Sequence, residues 1–152
     1  MKNTTLCYIE RDGAYLMMHR IKKENDENRD KWVGIGGKLE SGESPHDCVI
    51  REIKEETGLI VKSPRYRGLI TFVSDIYGTE YMHLFTADIF TGSIKSSCDE
   101  GVLEWVSKSD IYALPIWEGD KIFLKLLESE ERFFSLKLVY KGDRLINHIL
   151  NI

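Results

Sequence analysis

The sequence has few of the features that mark several common classes of protein. It has only three cysteines, Cys7, Cys48 and Cys98, with no CxxC pair and no neighbouring histidine at zinc-ligand spacing. Positive charge is also in deficit, because the net charge is −4 and the pI is near 5.6. These absences favour reduced thiols in a cytoplasmic protein, and they make polymeric nucleic acid or an anionic membrane an unexpected partner.

Long apolar runs are missing as well. The first 20 residues meet a charge every few positions, and no segment approaches the roughly 20 apolar residues of a membrane span. Neither a GxSxG motif nor a P-loop occurs, and the four histidines are widely separated. The 152 residues, of which 42% are apolar, predict one globular domain over residues 1–152 that does not enter a membrane.

The order of the predicted elements indicates a mixed α/β (α+β) fold. Turn residues, caps and hydrophobic periodicity define the elements. They are an opening hairpin turning at residues 11–13, a polar loop at 21–31 able to overhang a site, a short strand at 32–37 that ends in glycines, a helix capped by Ser44 and stopped by Gly58, β-rich runs at 58–75, 79–92 and 102–107, a helix within 117–131, and a final hairpin turning at 141–143.

The first predicted helix carries an unusual cluster of acids. With Glu52 at zero on a helical wheel, Glu56 falls near +40° and Glu55 near −60° at roughly 100° per residue. Apolar residues occupy the adjoining arc, so the three carboxylates line the edge of the buried side, where their repulsion is strong. A solvated charged face, protonated carboxyls or a bound cation would each relieve it. Hard ions such as Mg²⁺ prefer such oxygen ligands, with Mn²⁺ as an alternative.

The spacing around these acids resembles the Nudix hydrolase signature. The pattern GX5EX7REUXEEXGU, where U is an apolar residue, is complete, and a chance match is on the order of 10⁻⁷ at average residue usage. The matching residues are Gly37, Glu43, Arg51, Glu52, Ile53, Glu55, Glu56, Gly58 and Leu59.

This resemblance implies an α/β/α sandwich with a mixed sheet, and hydrolysis of a nucleoside diphosphate linked to another group. It also implies metal binding by Glu52, Glu55 and Glu56, with the Gly36 carbonyl as a further ligand. Arg51 and Glu43 would orient these acids, and Gly37 and Gly58 would be structural.

Two further positions are candidates beside the motif. Glu100 lies just before a strand, where similar family members carry a loop carboxylate, so it is a candidate general base and metal ligand; a polar turn at Asp99 and Glu100 is the alternative. A helix carboxylate, Glu55 or Glu56, is the other candidate base. Lys38 follows the glycines and could meet a phosphate, or it is simply an exposed lysine.

The C-terminal third resembles the oxidised purine nucleoside triphosphatases, the MutT-like subgroup. This resemblance implies that Trp117 stacks on a purine and that Asp120 offers two acceptors to its edge, although Trp117 also suits a core position. Phe72 and Met82 are candidate pocket walls. Two positions depart from the subgroup: Gly119 replaces a second acid, and Val33 replaces an asparagine.

The expected activity is therefore Mg²⁺-dependent conversion of 8-oxo-dGTP, or a close purine triphosphate, to the monophosphate and pyrophosphate. A Nudix hydrolase acting on a nucleotide sugar, a dinucleoside polyphosphate or an RNA 5′ end is one alternative. A binding module that has lost catalysis is another, although every acid of the motif is present. The expected partner is a small nucleotide, with the protein a monomer or a homodimer.

Overall fold

The computed structural model describes residues 1–95 and 98–152, which form ten strands and two α-helices. Among these residues, no helix has the length and apolarity needed to cross a membrane. The strands are β1 (Lys2–Arg11), β2 (Ala14–His19), β3 (Trp32–Val33), β4 (Ile60–Val61), β5 (Arg65–Ser74), β6 (Gly78–Ala87), β7 (Phe90–Thr91), β8 (Val102–Ser107), β9 (Phe134–Lys141) and β10 (Arg144–Asn151). The helices are α1 (Pro45–Thr57) and α2 (Glu118–Ser129), with a short 3-10 helix at Ile111–Ala113.

Both predicted terminal hairpins are confirmed. Strands β1 and β2 pair antiparallel across Asp12 and Gly13, whose φ angles of 52° and 76° suit the tight turn that matches strand twist. Strands β9 and β10 pair antiparallel from Lys141 opposite Arg144, and Gly142 at the turn also has a positive φ.

Helix α1 begins and ends as its sequence predicts. The Ser44 hydroxyl accepts a hydrogen bond from the Asp47 amide, the Asp47 carboxylate accepts one from the Ser44 amide, and Pro45 occupies the first turn. At the other end Gly58 adopts a left-handed φ of 85° and donates to the Lys54 carbonyl. Local interactions therefore fix the helix that carries the acids.

The main sheet is mixed, as expected. Its order is β10-β9-β5-β6-β1-β2-β3, with β8 also paired to β2. Two neighbouring pairs, β1 with β6 and β5 with β9, are parallel, and the other pairs are antiparallel. Strands β4 and β7 form a separate small ladder.

Helices cover opposite faces of this sheet, which confirms the α/β/α sandwich. Alternate residues of β1 divide between two cores: Cys7 packs with the α1 side chains Val49 and Ile53, whereas Tyr8 packs with Phe123 of α2. All five side chains are fully buried. This burial packs α1, which carries the acids, against β1.

The glycine run after β3 differs from the single short strand that we predicted. Only Trp32 and Val33 form strand, and the next residues cross beside β1, where Ile35 exchanges backbone hydrogen bonds with Cys7. A Cβ atom on Gly36 would lie 1.9 Å from the Thr5 carbonyl oxygen, so only glycine permits this approach. The crossing brings the glycines against α1.

Candidate active site

A cavity of about 530 Å³ lies between β1, the glycine run, α1 and the start of α2. Its two ends differ in chemistry, because one is acidic and the other is mainly apolar and aromatic. Ten of the sequence-predicted site residues line it: Gly36, Gly37, Lys38, Glu52, Glu56 and Glu100 toward the acidic side, and Phe72, Met82, Trp117 and Asp120 toward the aromatic side. The predicted residues Glu43, Arg51, Glu55 and Gly58 are outside its lining.

Arg51 organises the acids of α1 without lining the cavity. Its guanidinium binds Glu43 in a two-point arrangement, with Nε 2.7 Å from Oε2 and Nη2 3.0 Å from Oε1. Nη1 also donates to Glu52 at 2.9 Å and to Glu55 at 3.2 Å, and Nη2 donates to the Lys38 carbonyl at 3.1 Å. The Arg51 bond lowers the pKa of Glu43. One cation therefore links the glycine loop to two acids of the helix, as expected for an orienting residue.

Glu56 is an acid at the acidic end whose ionisation is disfavoured by its surroundings. Burial, then repulsion from Glu100 and from Glu52, raises its pKa to about 9. Its Oε2 atom is buried and has no hydrogen-bond partner among the described residues. A buried carboxylate oxygen in this condition is costly unless a cation or a proton accompanies it.

Glu100 is brought beside Glu56, as the sequence led us to expect of a loop carboxylate. Arg20 approaches it at 3.2 Å, and Lys23 approaches it more loosely at 3.8 Å. Both basic side chains line the same cavity. The acidic end therefore joins residues that lie more than 40 positions apart in the sequence.

Glu55 takes a different position from its two neighbours on α1. Its side chain is 58% exposed, and its carboxylate pairs with Arg51. Within the described ranges, no group of three or more His, Cys, Asp or Glu side chains is already arranged around a common metal position. The structure therefore directs Glu52, Glu56 and Glu100 toward the cavity but not Glu55.

The donor set nevertheless fits a hard divalent cation. Glu52, Glu56 and Glu100 supply only oxygen atoms, and one of those oxygens is buried without a hydrogen-bond partner in the described part of the chain. A doubly charged ion would offset the repulsion that raises the pKa of Glu56. All three acids border the same space.

Trp117 lies at the aromatic end, with only 7% of its surface exposed. Phe72 packs edge-on against it at a centroid distance of 5.6 Å, and the Lys31 ammonium lies 4.6 Å from its ring centroid. Its indole nitrogen donates to Asn28 Oδ1 at 2.7 Å. Trp117 is thus both a packed residue and part of the cavity wall, so the two alternatives from the sequence coexist.

Asp120 is buried beside Trp117, and this burial favours its uncharged carboxyl form. Burial raises the pKa of Asp120 to about 8, although nearby Lys31 opposes the shift. A protonated carboxyl at this position would offer one donor and one acceptor to a ligand.

The structure explains one of the two departures from the oxidised purine subgroup. A Cβ atom on Gly119 would lie 2.5 Å from Leu138 Cδ1 and 2.6 Å from the Tyr140 hydroxyl oxygen, so an acid at this position would require these two side chains to shift. The same hydroxyl accepts a hydrogen bond from the Gly119 amide. Val33 borders the cavity as an apolar side chain.

Sequence reasoning missed a polar group in the cavity wall. The Thr4 hydroxyl donates to Glu80 at 2.7 Å, and Lys2 approaches both Glu80 and Glu27. The alternation of residues along the strands did not predict that Thr4 and Glu80 lie in the cavity wall, because they are brought together only by the parallel pairing of β1 with β6. Asn28 was missed too, although the loop that carries it was expected to overhang a site.

This fold and this cavity belong to a recognised class of enzyme. The model of the NUDIX domain matches residues 2–127. The chain therefore belongs to the Nudix family, and it is a hydrolase acting on the phosphoric anhydride bonds of nucleotide derivatives. Enzymes of this family generally use divalent metal ions.

Individual relatives agree with that assignment. The chain is 37% identical over 124 residues to the uncharacterised Nudix hydrolase YvcI of Bacillus subtilis, covering 79% of this chain and 75% of that one. It is 30% identical over 152 residues to the oxidized purine nucleoside triphosphate hydrolase of Danio rerio, covering 99% of this chain and 94% of that protein. Among solved structures, a mutator MutT protein from Bacillus halodurans superposes with a TM-score of 0.89 at 29% identity, covering 99% and 98%.

Proposed function

We propose that this protein is a Mg²⁺-dependent nucleoside triphosphate pyrophosphohydrolase that prefers 8-oxo-dGTP or a close oxidised purine. Its products would be the nucleoside monophosphate and pyrophosphate, so it would cleanse the nucleotide pool. The observation that carries the proposal is the two-ended cavity, in which carboxylates face an aromatic wall across one space. The similarity to the Danio rerio enzyme over almost the whole chain supports the choice of substrate class.

Glu52, Glu56 and Glu100 would hold the metal ion, together with the carbonyl oxygen of Gly36; Glu55 would join them only after leaving Arg51. Mn²⁺ is an alternative ion with the same oxygen preference. When bound, such an ion neutralises phosphate charge, orients the polyphosphate and acidifies a water molecule.

The remaining residues would position the reacting groups. Arg51 keeps Glu52 in place while Glu43 holds Arg51, because all three share hydrogen bonds. Lys38 lines the cavity with an exposed side chain, and its charge suits a phosphate. The general base is one of the carboxylates Glu55, Glu56 and Glu100, and the position of Glu56 and Glu100 at the cavity favours these two.

The aromatic end would receive the base. Trp117 and Phe72 present aromatic surface, Met82 adds an adaptable apolar wall, and protonated Asp120 would bond a base edge through one donor and one acceptor. A cavity of this size accommodates a mononucleotide, and the net charge of −4 disfavours polymeric nucleic acid as the substrate.

A nucleotide panel with Mg²⁺ tests the proposal. Steady-state kinetics are measured on 8-oxo-dGTP, dGTP, dATP and dCTP. Products identified after reaction in ¹⁸O-labelled water should be the nucleoside monophosphate and pyrophosphate. The value of kcat/KM should be highest for the oxidised purine. Equal values for 8-oxo-dGTP and dGTP would remove the sanitising role but leave the hydrolase assignment. Release of inorganic phosphate in place of pyrophosphate would contradict the proposed cleavage.

A further inference from the structure

A series of hydrogen bonds and ion pairs connects the acidic end of the cavity with its aromatic end. Arg20 lies 3.2 Å from Glu100 and donates to Asp26 at 2.7 Å. Asp26 accepts from the backbone amide of Asn28 at 3.0 Å, and Asn28 in turn accepts from Trp117 at 2.7 Å. The loop at residues 21–31 is therefore tied to both ends, and it presents Asn28 to the cavity.

The orientation of the Asn28 amide is fixed by chemistry. An indole N–H can only donate, so the side-chain atom of Asn28 that lies 2.7 Å from it must be the carbonyl oxygen. The other branch of the amide is consequently the NH₂ group, which has two donors and no acceptor. Asn28 is half-buried, and its backbone is held on both sides, by Asp26 and by the amide of Lys31. This donor is therefore pre-organised.

Other polar groups nearby are engaged with one another. Thr4 donates its hydroxyl hydrogen to Glu80, and the Lys2 ammonium approaches Glu80 at 3.4 Å and Glu27 at 3.2 Å. The Val33 side chain cannot form a hydrogen bond, and Gly119 has no side chain. Asn28 is thus well suited to supply a hydrogen-bond donor that the apolar Val33 does not provide.

We propose that Asn28 is a specificity-determining residue whose side-chain NH₂ group donates a hydrogen bond to a carbonyl oxygen on the edge of the nucleobase. This inference rests on the proposed function, since it requires a nucleotide in the cavity. It goes further by naming the recognised feature: a purine with a carbonyl group is bound in preference to adenine, which presents an amino group at the same edge. An unpaired amino group facing a fixed donor is penalised more than a lost contact.

The isosteric variant Asn28→Asp isolates this role. Its carboxylate can still accept from Trp117, but it has no donor for the base. Two substrate pairs report on two carbonyls: dITP against dATP differ at position 6 of the purine, and 8-oxo-dGTP against dGTP differ at position 8. The added charge affects every triphosphate alike, so it cancels in each ratio of kcat/KM. Asn25→Asp, at an exposed position of the same loop, is the matched control.

The wild type and Asn25→Asp should give the same two ratios. In Asn28→Asp at least one ratio should fall by tenfold or more, mainly through KM, because the donor that distinguishes the two bases is gone. A fall of less than tenfold in both ratios overturns the proposal. Should Asn28→Asp not fold, Asn28→Ala gives the same comparison, because it also removes the donor.

Binding without turnover separates this inference from the proposed function. Calorimetric titration with dIMP and dAMP, in the absence of metal, should show tighter binding of dIMP to the wild type and loss of that difference in Asn28→Asp. This result would support the role of Asn28 even if no triphosphate were hydrolysed. Hydrolysis of triphosphates with ratios unchanged in the variant would overturn the role of Asn28 alone.

Discussion

The backbone of Gly37 lies directly against the carboxylate of Glu52. A Cβ atom on residue 37 would lie 2.5 Å from Glu52 Cδ and within 2.7 Å of both carboxylate oxygens. The first glycine of the Nudix signature and one of its acids, 15 positions later in the sequence, are therefore in contact. A side chain at residue 37 would therefore displace the Glu52 carboxylate, although the φ of Gly37 is not unusual.

Gly37→Ala is accordingly expected to displace Glu52 and to reduce activity far more than stability. A shift of about 1 Å in a positioning group costs about 100-fold in rate, so kcat with Mg²⁺ should fall by that order. Gly42→Asn is the control, because nothing lies within 4 Å of a Cβ there and asparagine tolerates its φ of 82°. Equal kcat in Gly37→Ala and the wild type would contradict the contact.

The pair formed by Glu43 and Arg51 should behave as one unit. Glu43→Gln and Arg51→Lys each break the two-point interaction. Each should reduce kcat by about 10- to 100-fold, the usual effect of losing a residue that orients a ligand. The kcat of the double variant should be only slightly lower than that of the less active single variant, since either single substitution already removes the shared contact. Multiplicative losses in this cycle, measured at saturating Mg²⁺, would show that the residues act independently.

Glu56→Gln tests the carboxylate whose buried Oε2 atom has no hydrogen-bond partner within residues 1–95 and 98–152. The amide cannot neutralise a cation, so metal uptake measured by calorimetry should be lost and kcat should fall by about 100- to 1,000-fold or more. Without metal, the thermal midpoint near pH 7 should change little, because the raised pKa of Glu56 favours the uncharged carboxyl and the amide is uncharged as well.

Glu55→Gln provides the comparison within the same helix. Since Glu55 faces Arg51 and solvent, its substitution should cost less in kcat and in metal affinity than Glu56→Gln does. A greater loss in Glu55→Gln would mean that Glu55 leaves Arg51 and enters the cavity when metal binds.

Asp120 should make stability dependent on pH. Its pKa is about 8 in the folded protein, against about 3.9 in an unfolded chain. Between these values the folded state holds a proton that the unfolded state has lost. The free energy of unfolding should therefore fall as the pH rises from about 4 to about 8, by up to about 1.4 kcal/mol per pH unit.

Denaturant unfolding of the wild type and Asp120→Asn, without metal, measures this contribution as a difference between two curves. The wild-type advantage should decline across the window and level off above about pH 8. Asp110→Asn, an exposed position, should give a constant difference. A constant difference for Asp120→Asn as well would show that its carboxyl ionises normally.

Much of the fold followed from local signals. The capping residues of α1 and the turn at Asp12 and Gly13 act within a few positions, so their effects were visible in the sequence. The extent of the strand at Trp32 and Val33 was predicted less well. The backbone there is shaped by its crossing of β1, which is a contact between distant segments.

The candidate site also has features that the sequence predicted and features that depend on the tertiary structure. The motif identified Glu52 and Glu56, and the structure places both at the cavity. Helical spacing places Glu55 one turn from Arg51, so the sequence indicated the ion pair that the structure shows. It did not indicate that Glu55 stays outside the lining of the cavity.

The sequence by itself determined the helix, its acids and their spacing from the glycines, because these depend on helical periodicity and local capping. Only the tertiary structure decided which acids face the cavity, why residue 119 has no side chain, and that Asn28 meets Trp117. Those outcomes depend on close packing and on hydrogen bonds between residues that lie up to 89 positions apart. No local sequence pattern encodes these contacts, since they form only when the two helices pack on opposite faces of the sheet.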